Sequence, residues 1–384
     1  MLLNFKVGGF CSINEMQEIT LTPFFNQRVK GTKYEDNYDL SSVNKATKAI
    51  VIYGGNSTGK TNLLLAIKAC LQVIRKGDSF DQLKRSFCSL QENPEMLFEI
   101  TLEHENRILT YEISFNKDCL VRECFLVDNR EIYSFSKNKL SLGVDIPNKT
   151  QIEEIYSVRS TATLLSKLRD FISEQANQLL QGIETIFVLT TDPFNPESKV
   201  FKISIAKWEV DMLEEYKELT LKLFQSIDKT IVDFSFEEIK RTSGEDDYEF
   251  IFYRHNKDGE RIRFENQTES QGVKRMIAVI GYLVEVIQKG YTLVIDEFDA
   301  PISTRSLLNI LMDFIQTKTN KRGQLIVTSH NLQLFDVDYF ASSQIYIVNK
   351  SESLSTVVNS LADYNIRSDK KRLAERFLQG AFEL

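Results

Sequence analysis

A few residues of this chain have the types and spacing to do chemistry on a phosphate. They are Lys60 and Thr61 in KAIVIYGGNSTGKTNLLLAI, Asp296 and Glu297 in TLVIDEFDAP, and His330 in GQLIVTSHN. In the first stretch Gly54, Gly59, Lys60 and Thr61 fit the spacing G-x-x-x-x-G-K-[ST]. Glycines let the backbone curl so that successive N–H groups point inward at a β-phosphate, aided by the positive end of the helix expected to begin at Thr61. Lys60 would reach the β- and γ-phosphates, and the Thr61 hydroxyl would sit on a magnesium ion. The whole loop, from Gly54 through Gly55, Asn56, Ser57, Thr58, Gly59, Lys60 and Thr61 to Asn62, is the expected ATP-binding segment.

Asp296 and Glu297 end a run of apolar β-formers, the pattern of a Walker B strand. Asp296 would bind the magnesium through water. Glu297 would polarise an attacking water, the role that separates a hydrolase from a nucleotide binder. His330 ends a second apolar strand, and ligands of parallel α/β sheets bind outside the carboxyl ends of their strands, so it is expected at the γ-phosphate and the water. His104 and His255 fall in hairpin patterns and receive no role. In NQTESQGVKRMIAVIGYLVEVI, Ser270 and Gly272 open a helix whose residues Met276, Val279, Ile280, Leu283 and Ile287 face a core. A serine and a glycine at a helix N-terminus form an anion site.

These residues need elements to position them. Alternation around Gly8-Gly9 predicts a pair of strands over 2–7 and 18–24, followed by a polar loop to Lys48. A strand over 49–53 delivers the loop, and the next helix runs to Gly77. Four short alternating runs between Met96 and Phe135 read as antiparallel strands. Helices are expected over 163–180 and 208–227, joined near Pro193 and Pro196. In the second, Trp208, Met212, Tyr216, Leu219, Leu223 and Ile227 would form a core-facing stripe. Strands resume over 231–239, 248–253 and 261–264, with Asp258-Gly259 as a turn. The division expected from this order is an N-terminal half of the core with the phosphate loop and a β subdomain (1–150), a mainly helical insertion (151–230) and a C-terminal half of the core (231–384).

At 384 residues and 42% hydrophobic the chain can bury a large core. Its net charge of −7 argues against a uniformly basic nucleic-acid binder. Five cysteines without a CxxC pair fit reduced thiols rather than a disulfide framework. No segment approaches the apolar length of a membrane span, and the expected location is cytoplasmic.

Taken in order, the opening LLNFKVGGFCSI, the loop GGNSTGKTN, the strand block, ESQGVKR, DEFDAP, TSHN and the tail QIYIVNK to FLQGAF resemble the ABC-type ATPases of the SMC, RecF and OLD kind. More closely, the set is similar to the compact bacterial AAA-family ATPases found in phage-defence and abortive-infection loci. The resemblance implies an α/β fold, an ABC-type P-loop NTPase with an antiparallel β subdomain and a helical insertion or lid. It also implies a homodimer in which Ser270 and Gly272 complete the partner copy's ATP site in trans and Asp299 lies at the dimer seam. Three features depart from the family pattern. The signature reads ESQG, Cys11 stands where a basic residue is common, and Ile302-Ser303-Thr304 replaces a histidine after DEFDAP. Gln91 and Gln151 are both candidates for the Q-loop glutamine.

The function implied is an ATPase whose nucleotide-dependent dimerisation regulates a separately encoded effector, a nuclease or another toxin. The alternative is a RecF- or SMC-like DNA-binding ATPase. DNA would meet clusters such as Arg254, Lys257, Arg261 and Arg263, or Arg367, Lys370, Lys371 and Arg372, although solvated faces are the favoured reading of both. A transporter subunit and an autonomous nuclease are less supported.

Overall fold

The computed structural model describes residues 1–384 except 24–27, 78–79, 93, 145, 158–159, 191–203, 241–245, 317, 333–338, 365–372 and 383–384. The chain opens with β1 (Leu2–Gly8), β2 (Gln17–Thr20), β3 (Ala49–Gly54) and α1 (Lys60–Lys76). The strands β4 (Met96–His104), β5 (Arg107–Phe115), β6 (Leu120–Val127), β7 (Arg130–Ser136) and β8 (Lys139–Leu142) follow. Next come α2 (Lys149–Tyr156), α3 (Leu164–Leu168), α4 (Ser173–Glu184), β9 (Ile186–Leu189), β10 (Ile205–Ala206), α5 (Lys207–Glu215) and α6 (Lys217–Ile227). The last third holds β11 (Asp233–Lys240), β12 (Asp246–His255), β13 (Arg261–Glu265), α7 (Gln271–Lys289), β14 (Thr292–Ile295) and α8 (Thr304–Ile315). It closes with β15 (Gln324–Thr328), β16 (Ile345–Lys350), β17 (Thr356–Ser360) and α9 (Leu373–Leu378).

At the centre is a six-stranded sheet ordered β17-β16-β3-β15-β14-β9, parallel from β16 to β9. Its strands β3, β14 and β15 are buried at every residue, as a parallel sheet covered on both faces requires. Alternate side chains serve two cores. Ile50 and Ile52 pack with α1, α4 and the antiparallel sheet β2-β1-β4-β5-β6-β7-β8. Val51 and Tyr53 pack with α5 to α8 and the small sheet in which β10, β11 and β13 join β12.

Two expectations need correction. The helix foreseen over 163–180 is two, α3 and α4. Its first N–H groups, of Leu164 and Leu165, are taken by the buried carboxylate of Glu123 on β6 at 2.6 and 2.8 Å. A partner 41 residues before Leu164 in sequence anchors that turn, and no local pattern announces it. The helix over 208–227 is likewise two, α5 and α6, divided at Tyr216. Of the expected stripe only Trp208 lies outside the core, 57% exposed; Leu223 is buried and Met212, Tyr216, Leu219 and Ile227 pack partly buried against the same core as Val210, Leu213 and Phe224. The segment 151–230 also contains β9, an edge strand of the central sheet paired with β14. Pro193, Pro196 and the cluster from Arg367 to Arg372 lie outside the described residues. Among the described residues no helix is long and apolar enough to cross a membrane.

Candidate nucleotide-binding site

The phosphate loop leaves the central sheet at the end of β3, with β16 on one side and β15 on the other. Its conformation needs its glycines. A Cβ on Gly54 would lie 2.4 Å from the Val348 carbonyl oxygen, and one on Gly59, at φ +112°, would lie 2.1 Å from Thr356 Oγ1. Gly59 immediately precedes α1, which begins at Lys60, one residue earlier than expected. The Lys60 ammonium is buried and donates to the carbonyls of Gly54 and Gly55, both at 2.9 Å. Burial lowers its pKa, while Asp296, Glu297 and Asp299 hold it up.

Across the loop, Thr61 Oγ1 donates to Asp296 Oδ2 at 2.7 Å. Asp296 Oδ1 accepts from Thr328 Oγ1 at 2.5 Å, and that hydroxyl in turn accepts the Glu297 N–H at 2.8 Å. Glu297 sits at φ +47°, a left-handed conformation uncommon for a side chain of this kind, and its carboxylate is exposed. Beneath the turn, Arg275 Nη2 of α7 donates to the carbonyls of Asp296 and Glu297, both at 3.0 Å. Burial brings the Arg275 pKa down to about 10, against the pull of Glu297, Asp296 and Asp299. Asp299 Oδ2 accepts from Ser329 Oγ and from the His330 N–H, both at 2.9 Å, and so fixes the end of β15 within its own chain.

Asn56, Ser57, Gly59, Lys60, Thr61, Asn62, Asp296, Glu297 and His330 line one cleft of about 310 Å³. Gly54, Gly55 and Thr58 shape the loop from behind, with Thr58 Oγ1 donating to the Gly55 carbonyl. The oxygen donors of Thr61 and Asp296, already in contact, fit a hard divalent cation such as magnesium. Ser270 and Gly272 do not line the cleft. Ser270 caps α7, its Oγ accepting the Val273 N–H at 3.3 Å, and is exposed. Neither Gln91 nor Gln151 lines the cleft; Gln91 is bonded to the backbone of Asn14 and Glu95.

Sequence reasoning missed Ser12 and Lys350 of the cleft wall, and Thr328 and Arg275 behind it. Arg275 carried a signal, a cation inside an otherwise apolar helix stripe; Ser12 carried none. In the cluster of Arg254, Lys257, Arg261 and Arg263, the three arginines are paired with carboxylates of the same chain. Arg254 pairs with Asp228 at 2.7 Å and Glu269 at 2.6 Å, Arg261 with Asp233 at 2.7 Å and Arg263 with Glu237 at 2.5 Å.

The fold is an α/β fold of the ABC-type P-loop kind, with an antiparallel β subdomain. The chain belongs to the family described as "AAA domain, putative AbiEii toxin, Type IV TA system", which matches residues 49–336. Among solved structures it is similar to an SMC head bound to the C-winged helix domain of ScpA, at 14% identity and a TM-score of 0.54, covering 94% of this chain and 98% of that one. It also aligns with the SMC head domain from Thermotoga maritima, at 12% identity and a TM-score of 0.44 over 94% of this chain and 98% of that one. A third is an Smc head domain with an extended coiled coil bound to the C-terminal domain of ScpA derived from Pyrococcus furiosus, at 12% identity and a TM-score of 0.43 over 99% of both chains. No curated protein matches the sequence.

Proposed function

We propose that this protein hydrolyses ATP as a dimer and uses that cycle to control a separately encoded effector. The observation that carries the reading is the convergence of Lys60, Thr61, Asp296, Glu297 and His330 on one cleft from three parallel strands. Lys60 would exchange the loop carbonyls for the β- and γ-phosphates. Thr61 and Asp296 would hold the magnesium ion, whose charge supplies electrostatic stabilisation of phosphoryl transfer. Glu297, exposed to the cleft, would orient the attacking water and accept its proton, with His330 beside the γ-phosphate. Ser270 and Gly272 lie outside their own chain's cleft, which supports their use on a second copy's nucleotide. Asp299 would stand close to that seam.

The family description, with its toxin and type IV system, supports a two-component role in defence. A DNA-binding repair ATPase is the less supported reading, because the arginines of β12 and β13 are spent on carboxylates of the same chain. The test is ATP turnover by purified protein with magnesium. Glu297→Gln is expected to keep nucleotide binding and lower turnover by about 100-fold or more. Undiminished turnover by that variant would sink the mechanism. The regulatory part requires ATP-dependent co-purification with the product of a neighbouring gene.

A further inference from the structure

Within the chain's own cleft, every nucleotide contact named so far lies on the loop itself or on the β15 and β14 side of it. The opposite wall has its own construction. β16 runs parallel to β3 with Val348 opposite Gly54, then turns back so that Lys350 pairs with Thr356 of β17. This hairpin is fastened to the phosphate loop. Thr356 Oγ1 donates to the Thr58 carbonyl at 2.8 Å and lies 2.7 Å from Ser12 Oγ, which also accepts from Asn62 Nδ2 at 2.7 Å. The Thr356 N–H bonds to the Ser12 carbonyl at 2.7 Å. Lys350 is therefore carried on backbone that is locked to the loop, and its side chain is exposed in the same cleft as Lys60.

We infer that Lys350 is a nucleotide-binding residue that meets the α-phosphate end of the bound nucleotide; the assignment rests on reading the cleft as an ATP site. The sheet order sets the direction. Asp296, Glu297 and His330 occupy the β14 and β15 flank, where the γ-phosphate must be for hydrolysis, so the β16 flank receives the other end of the phosphate chain. Charge supports the same assignment. Lys60 already faces Asp296, Glu297 and Asp299, and these carboxylates offset it. Lys350 has no ion-pair partner among the described residues and is the second ammonium of the cleft. An anionic α-phosphate beside it would gain a charge-assisted hydrogen bond that the loop alone does not provide.

The experiment is a titration of wild type, Lys350→Ala, Lys350→Gln, Lys350→Arg and Lys60→Ala with ADP and with a non-hydrolysable ATP analogue, both with magnesium. Lys350→Ala and Lys350→Gln are expected to raise the Kd for both nucleotides by about tenfold, leaving the ratio between them unchanged, and Lys350→Arg to restore most of the loss. Wild-type affinity in the neutral variants overturns the inference, as does a loss confined to the triphosphate, which would put Lys350 at the γ end. Thermal unfolding without nucleotide should match wild type, since Lys350 is exposed. A wild-type protein that binds neither nucleotide would overturn the ATP-site reading itself. Wild-type binding that Lys60→Ala abolishes and Lys350→Ala spares would remove only the role of Lys350.

Discussion

The starts of α1 and α7 are both helix N-termini that carry glycine and a hydroxyl residue, yet the structure treats them in opposite ways. At α1 the loop is enclosed. Val348 and Thr356 press against Gly54 and Gly59, and Lys60, Asp296 and Glu297 complete a cleft built by this chain alone. At α7 the Ser270 side chain satisfies only its own helix, at Val273, and stands exposed. What is fastened there is the residue before it. Glu269 is buried and bound by Arg254 on β12, which also holds Asp228. The first is a cleft lined by polar and charged side chains, whereas the second is a helix start whose flanking Glu269 is held by an ion pair. In the proposed reading, the ligand contact at that edge would be made to a second copy's nucleotide.

The strongest way to break this contrast is to disable the enclosed side. Lys60→Ala removes the ammonium that the loop holds in place, and nucleotide affinity should fall by about 100-fold or more, read by titration with ATP and magnesium. Affinity near wild type would mean that the cleft binds nucleotide by some other route. The outward side calls for the reverse result. Ser270→Arg should leave nucleotide binding by the monomer within about twofold of wild type while blocking ATP-dependent dimerisation and lowering turnover by about tenfold or more. Normal turnover in this variant would show that one chain suffices.

The smallest effect concerns the fastening itself. Arg254→Ala leaves Glu269 buried without its cation, and removing one partner of a buried pair costs about 3 kcal/mol. Arg254 is 15% exposed, which reduces that to about 2 kcal/mol in denaturant unfolding, with turnover falling further than nucleotide affinity. An equal fall in both would mean that the Arg254 pairs support the whole fold rather than the edge at Ser270.

How much of this was legible beforehand depended on whether the information was local. The phosphate loop, the acidic pair after β14 and the Ser270 cap could be read because each rests on spacing within a single turn or strand. The antiparallel block from β4 to β7 was legible because hairpins pair neighbours in sequence. The break between α3 and α4 was not, since Glu123 of β6 supplies the bonds that anchor α3. Nor was β9, a four-residue strand that joins the central sheet only through β14, about 100 residues later.

The sequence by itself determined that a glycine-rich loop between a buried strand and a helix, an acidic pair and a terminal histidine exist in one chain in the order of an ABC-type ATPase. Residue type and short-range geometry suffice for that. Only the tertiary structure decided which of them share a cleft. Parallel pairing of β3, β15 and β14 brings Lys60, His330 and Glu297 together across more than 200 residues of chain, and leaves Ser270 outside. It also decided which unheralded residues complete the walls. Ser12 and Lys350 reach the loop because β16 and β17 fold back on it, and Arg275 reaches the Asp296 and Glu297 carbonyls because α7 packs beneath β14. Such contacts follow from strand order and helix packing, which depend on the whole chain.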